Sequence, residues 1–305
     1  MHVTTSIPLI VVTGSTGQLG GRVAARLAAL GQPQRLLVRD PARAPQLPDA
    51  EVIQAAYEDG PSMRVAFSGV QTLFLVSGWG PTRLEQHYSA IDAAVAAGVE
   101  RIVYTSFLSA APQATFTHAR EHYLTEQHIR ASERRYTFLR PSFYLDRAPR
   151  WFSEEGVIHG PAGNGTVSWV SRDDLADVAV SVLTTGGHDG ASYDITGSQA
   201  LTLAQAAEQF SRATGLPASY QPETLEEARA SRAKFNPSEW ELEAWVSCPL
   251  SAILSRRSPA MPPKPSLTTF TGIRRAISTS LRPGFDPVQD EVDQRIDQLL
   301  GVSPS

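Results

Sequence analysis

IVVTGSTGQLGGRV, residues 10–23, joins an apolar strand to an amphipathic helix through a glycine turn. Leu9–Val12 is short, apolar and β-branched, as a buried parallel strand requires. Downstream, Leu19, Val23, Leu27 and Leu30 recur on one helix face, and Gly31 supplies a stop. Gly14, Gly17 and Gly20 let the chain bend tightly, let backbone N–H groups approach a pyrophosphate and let the helix pack close to the strand. Thr16, Gln18 and Leu19 lie between these glycines, so the whole turn is a candidate cofactor contact. The helix N-terminus would face the phosphates with its partial positive charge. Three glycines at this spacing can be only a turn; their place between strand and helix is what points to nucleotide binding.

The second strand reads RLLVRD from Arg35 to Asp40. Arg39 stands about twenty residues past the glycine turn, where a protein that binds NAD usually carries an acid for the ribose 2′-OH. An arginine there suits a 2′-phosphate instead, with Arg43 close behind, so NADPH is expected over NADH. The plainer alternative is a solvated arginine paired with its neighbour Asp40.

The 305 residues suit one large α/β domain or one domain with a smaller appendage, the formal charge of −4 is small, and no basic run forms a footprint for nucleic acid. The single cysteine, Cys248, rules out an intrachain disulfide, fits a reducing compartment and reads as an inert thiol. No signal-peptide pattern precedes Leu9 and no apolar run approaches a membrane span, so a cytoplasmic protein is expected.

Strands and helices alternate through the first half, which predicts a Rossmann-type, doubly wound parallel sheet. Strands are expected at Glu51–Ala55, Thr72–Val76, Arg101–Thr105 and Tyr136–Leu139. Intervening helices carry Met63, Ala66 and Phe67, then Leu84, Tyr88, Ile91 and Val95, then Thr117–Ser132. This gives a core over residues 1–145 and a smaller substrate-side lobe over 146–305, interleaved with the core. Within the lobe, Gly160–Gly165 reads as turns, Val167–Val170 as a strand, and Gln205–Thr214 and Glu223–Ala233 as helices. Ser171 or Asp173 is expected to cap an Ala/Val-rich helix. Ser255–Thr269 shows no periodicity and reads as a loop or disordered segment.

Ligands of this fold bind beyond the carboxyl ends of the strands. That singles out Ser77, Gly78 and Trp79, then Ser106 and Phe107, then Pro141, Phe143 and Tyr144. Ser77, Gly78, Ser106 and Pro141 are candidates to line the cofactor. Trp79, Phe107, Phe143 and Tyr144 offer flat apolar surface to an aromatic substrate, unless they belong to the core.

Taken together, VTGSTGQLG (12–20), VRD (38–40), VYTS (103–106), HYLTEQ (122–127) and YTFLRPSFY (136–144) resemble the NmrA-like atypical short-chain dehydrogenase/reductases. GNGTVSWVSRDDLA (163–176) and YDITG (193–197) fit the same family. The resemblance covers residues 7–245 and is nearest to its quinone oxidoreductase and triphenylmethane-dye reductase members. It implies a Rossmann sheet, a small C-terminal lobe over the cleft, NADPH, and direct hydride transfer to a flat conjugated acceptor.

Three departures stand beside the matches. The proton-donating Tyr and ribose-binding Lys of better-known members fall at His118 and His122. Without that dyad, alcohol dehydrogenation is disfavoured, because a carbonyl needs a proton in step with the hydride. A quinone or dye spreads the charge and needs less help. His122 is a candidate for the nicotinamide ribose, and His118 or Tyr144 a candidate proton source. The two histidines are otherwise exposed polar residues; no third ligand stands at suitable spacing for a metal. Secondly, Ala56 replaces the acid the family often places before Tyr57, which leaves Tyr57, with Asp59 nearby, against the adenine. Thirdly, the chain after Trp245 leaves the family pattern. The reading is therefore an NADPH-dependent reductase of a small conjugated acceptor, acting without nucleic acid or membrane and with a homodimer left open. The alternative is a non-catalytic NADP(H)-sensing regulator with a protein partner.

Overall fold

A computed structural model describes residues 9–250. The core opens with β1 (Ile10–Val12), α1 (Gly20–Ala29), β2 (Gln34–Val38), β3 (Ala50–Gln54), α2 (Gly60–Phe67) and β4 (Thr72–Leu75). It continues through α3 (Arg83–Ala96), β5 (Arg101–Thr105), α4 (Thr117–Ala131) and β6 (Arg135–Pro141). β7 (Val157–Gly160), β8 (Thr166–Val167), α5 (Arg172–Thr184) and β9 (Ala191–Ile195) follow. The chain then forms β10 (Leu201–Thr202), α6 (Leu203–Thr214), β11 (Ser219–Pro222), α7 (Leu225–Ala233) and α8 (Glu239–Leu250).

Seven parallel strands form the central sheet in the order β3-β2-β1-β4-β5-β6-β9. This is the doubly wound α/β architecture, with the order reversing between β1 and β4. One face is covered by α1 and α5, where Val23, Leu27, Leu175 and Ala179 are fully buried against Val12 and Phe74. The other is covered by α2, α3 and α4, around Phe67, Ile91, Tyr104 and Phe138. Parallel strands clothed on both faces read as continuous apolar runs, and every residue of β4 and β5 is buried. After β6 the chain returns to the central layers twice, through α5 and β9. Beside them stand a short 3-10 helix over Leu145–Trp151, two small sheets, β8–β10 and β7–β11, and helices α6 to α8.

Several boundaries differ from the sequence reading for physical reasons. Leu30 closes α1 as its C-terminal cap residue and is 64% exposed, so the buried stripe ends at Leu27. The buried face of α3 runs through Arg83, His87, Ala90, Ile91 and Ala94, while Leu84, Tyr88 and Val95 are half-buried beside it. β8 ends at Val167; Val170 instead forms a single bridge with Tyr144. Ser171 caps α5, accepting from Asp174 N at 3.0 Å, whereas Asp173 pairs with Arg22 and Arg26 of α1. The stretch 255–269 lies outside the described residues. No helix among the described residues is long and apolar enough to cross a membrane.

Candidate active site

The glycine turn sits at the reversal of strand order. Gly14 has φ +59°, a conformation open to glycine at little cost. A Cβ on Gly20 would lie 2.2 Å from Gly14 O, so the turn and α1 touch backbone to backbone. A Cβ on Gly14 would crowd Val76 Cβ at 3.3 Å, which sets the loop after β4 against the turn. Val76 N donates to Thr13 Oγ1 (2.8 Å) and Ser15 Oγ to Leu37 O (3.3 Å), fixing the turn between β4 and β2. Gly14, Thr16, Gly17 and Gln18 form the exposed rim, while Leu19 and Gly20 are buried. Arg22 holds Gln18 through both its backbone and side-chain carbonyls. Leu19, at the N-cap of α1, gives no side-chain cap, and the first turn has no acid. Gly17 N–H donates to Gly14 O (2.9 Å) and Gly21 N–H to Gly17 O (3.0 Å), so the turn is held by its own backbone, and its exposed rim at the positive end of α1 fits a dinucleotide pyrophosphate.

Arg39 extends from the end of β2 with an exposed guanidinium that has no ion-pair partner among the described residues. Asp40 is engaged elsewhere, accepting from Ala42 N at 3.0 Å as the cap of a one-turn helix over Pro41–Arg43. Asp59 likewise caps α2. The Tyr57 hydroxyl donates to Val76 O (2.9 Å), and its burial pushes the phenol upward, so it props the loop after β4. Ser77 N donates to Thr105 Oγ1 (2.8 Å). Gly78 reaches the cleft with both backbone groups taken: its N–H donates to His87 Nε2 (3.0 Å) and its O accepts from Arg83 Nε (3.0 Å).

Beneath that loop lies a polar network in which sequence reasoning names Gly78, Ser106 and His122 but misses Arg83, His87, Glu121 and Glu126. Arg83, 2% exposed, donates through Nη1 to Glu121 Oε2 (2.7 Å) and through Nη2 to His122 Nε2 (3.0 Å). His122 is 5% exposed, and its Nδ1 meets Tyr104 OH at 2.7 Å. His87 Nδ1 meets Thr125 Oγ1 at 3.1 Å. Gly78 N–H and Arg83 Nη2 can only donate, so each histidine accepts at Nε2 and carries its proton on Nδ1. Ser106 Oγ donates to Glu126 Oε1 (2.6 Å), a wholly buried carboxylate also held by Arg140 Nε (2.8 Å) and Nη2 (2.5 Å). Pro141 closes β6, and its O accepts from Leu108 N (2.9 Å). Arg83 and His87 escaped the apolar-stripe reading because they are polar residues on the buried face of a helix.

Above this network stands a wall of rings. His118, 5% exposed, stacks on Trp240 (4.7 Å between centroids, 26° between planes) and meets Trp79 edge-on at 4.8 Å. Trp79 and Trp240 are 5.1 Å apart. Phe116 joins His118 (4.9 Å) to Phe107 (5.1 Å), and Phe107 joins Phe143 (5.1 Å). Phe107 and Phe143 are half-buried and Trp79 is 59% exposed, so the wall has an open side. His118 Nε2 is buried without a hydrogen-bond partner, an unmet polar atom in an otherwise aromatic lining. Tyr144 lies to one side with Arg172 Cζ 4.4 Å over its ring, and burial pushes its phenol up to about 12. Among the described residues no three His, Cys, Asp or Glu side chains gather to hold a metal ion. Burial pushes the Cys248 thiol up to about 12, which keeps it protonated.

Trp240 enters through α8, a helix absent from the sequence reading. Its signal is SEWE from Ser238 to Glu241: Ser238 N donates to Glu241 Oε2 (2.8 Å) and Glu241 N to Ser238 Oγ (3.3 Å), a reciprocal capping box. α8 seats on α4 through Trp240 Nε1 to Glu121 Oε1 (3.0 Å) and Thr117 N to Ser247 Oγ (3.2 Å).

Burial first, and then the Arg83 charge, pull His118 and His87 down to about 3 and His122 well below its ordinary value. For His118 and His87 the unfolded chain takes up the proton near pH 6.5, while the folded chain does so only near 3. Stability is thus fully present above about pH 7 and falls as pH drops through 6.5, by about 2 kcal/mol at pH 5 for each of these two histidines. Calorimetry at pH 7.5 and 5.0 is expected to show a lower Tm at the acid end, and a smaller drop in His118→Gln. An equal drop in both proteins would contradict this.

A family model described as NAD(P)H-binding matches residues 14–186. The NAD(P)H azoreductase of Xenophilus azovorans is 34% identical over 227 residues, covering 72% of this chain and 79% of that protein. The crystal structure of the NADPH-dependent quinone oxidoreductase of Escherichia coli with NADPH superposes with a TM-score of 0.73 at 33% identity, covering 80% of this chain and 89% of that one. The triphenylmethane reductase of Citrobacter sp. with NADP(H) gives a TM-score of 0.70 at 33% identity, covering 82% and 92%. The chain therefore belongs to the NAD(P)H-binding, NmrA-like atypical short-chain dehydrogenase/reductases and is an NAD(P)H-dependent oxidoreductase.

Proposed function

We propose that this protein uses NADPH to reduce a quinone or a similar flat conjugated acceptor. The observation that carries the reading is the ring wall of Trp79, His118 and Trp240, continued by Phe116, Phe107 and Phe143, with one unmet polar atom in it. Such a surface takes a planar apolar molecule that bears a heteroatom. The related azoreductase, quinone oxidoreductase and triphenylmethane reductase point to the same acceptor class.

NADPH, when bound, supplies the hydride. The glycine turn and the N-terminus of α1 hold its pyrophosphate, and Arg39 holds the 2′-phosphate. The ring wall orients the acceptor and excludes water from one of its faces, so catalysis is chiefly positioning. His118 is neutral at physiological pH and offers the acceptor oxygen a hydrogen bond rather than a full charge. Tyr144 keeps its proton and is a second donor beside the cleft. A conjugated acceptor spreads the incoming charge, so solvent completes protonation without a Tyr-Lys dyad.

The reading is tested by following NADPH absorbance with 1,4-naphthoquinone, an azo dye and cyclohexanone as acceptors. Turnover of the conjugated acceptors and none of the ketone is expected, with no step near pH 6.5 in the rate. Reduction of the ketone alone would overturn it.

A further inference from the structure

We propose that Arg83 is a positioning residue that couples the seat of α8 to the cofactor side of the cleft. The proposal rests on the reading of this cleft as the cofactor and acceptor site. Arg83, the first residue of α3, spends its three nitrogens on two pieces of structure: Nε on Gly78 O of the loop after β4 at 3.0 Å, and Nη1 and Nη2 on two neighbours in α4, Glu121 Oε2 at 2.7 Å and His122 Nε2 at 3.0 Å. Gly78 belongs to the loop that abuts the glycine turn through Val76. Glu121 divides its carboxylate, giving one oxygen to Arg83 and the other to the Trp240 indole N–H at 3.0 Å. A continuous line of hydrogen bonds thus runs from the loop after β4 to the ring that stacks on His118.

The residue types fit this task. A guanidinium is planar and holds its donors in a fixed fork, so a shift of one partner turns the others. Its near-complete burial leaves no water to absorb such a shift. Movement of the loop when cofactor binds is therefore passed to Glu121 and on to Trp240, so the acceptor wall is set by the cofactor.

The test needs no acceptor. In 15N-labelled protein, the Trp240 indole N–H peak, identified by its loss in Trp240→Phe, is expected to shift on saturation with NADP+. Arg83→Lys keeps the charge but not the fork, and is expected to lose most of that shift while still binding NADP+ by calorimetry. Glu121→Gln, which removes the charge pair farther from the loop, is expected to do the same and covers the case in which Arg83→Lys does not fold. A Trp240 peak indifferent to NADP+ in the unsubstituted protein, or a shift undiminished in either folded variant, overturns the proposal. Naphthoquinone turnover is measured separately: its absence beside an intact peak shift would count against the acceptor reading and leave the coupling standing.

Discussion

Replacing Gly20 by alanine is expected to lower NADP+ affinity by about 10-fold or more, because it moves α1 off the turn and loses hydrogen bonds to the charged pyrophosphate worth about 1.5–3 kcal/mol each. The added Cβ would stand 2.2 Å from Gly14 O, 2.6 Å from Gly14 C and 2.8 Å from Thr13 O. All three are backbone atoms, so no rotamer change relieves the contact, and α1 must move away from the turn. The same displacement is expected to destabilise the fold by about 1–3 kcal/mol, the usual range for overpacking. Gly17→Ala is the internal control: its Cβ would lie 3.2 Å from a single atom, Gly14 O, which a small shift accommodates. Calorimetric titration with NADP+, alongside thermal melts, separates the two variants. Equal affinities for Gly20→Ala and the unsubstituted protein would remove the turn from the cofactor site.

The second large effect is expected at Arg39. Hydrogen bonds to a charged group are worth about 1.5–3 kcal/mol, so Arg39→Ala is expected to lower kcat/KM for NADPH by about 10-fold or more. NADH has no 2′-phosphate and should be used equally well by both proteins. Stability should also be unchanged, since the guanidinium is exposed and has no ion-pair partner among the described residues. Steady-state rates with each cofactor at a fixed naphthoquinone concentration make the comparison. A loss shared equally by NADPH and NADH would assign Arg39 some role other than selecting the 2′-phosphate.

Both effects concern parts of the molecule that sequence exposes well. The strand–glycine turn–helix unit is local, so spacing and apolar pattern suffice, and β5 spans the expected Arg101–Thr105 because its Ile-Val-Tyr centre is buried on both faces of the sheet. Leu30 shows the limit of periodicity: the pattern continues past the point where the helix ends and its cap turns to solvent. The polar network is less legible still. Arg83 and His87 look like surface residues in sequence, and only the fold supplies Glu121, His122, Thr125 and Gly78 as partners, from 5 to 39 residues away. His118 and His122 stand out in sequence only by the positions they occupy; their neutrality comes from burial beside Arg83. Trp240 is the instructive miss. Its capping box was present in the sequence, yet nothing local tells that the helix it starts will lie against α4, 119 residues earlier in the chain.

The most direct measurement is a single turnover. Protein saturated with NADPH is mixed rapidly with 1,4-naphthoquinone, and the reduced-cofactor absorbance is followed. Loss of that band in proportion to the bound NADPH, faster than in a protein-free control, is the predicted result. Bound NADPH whose absorbance persists in the presence of naphthoquinone and of the azo dye would contradict the account and leave a protein that holds its cofactor without spending it.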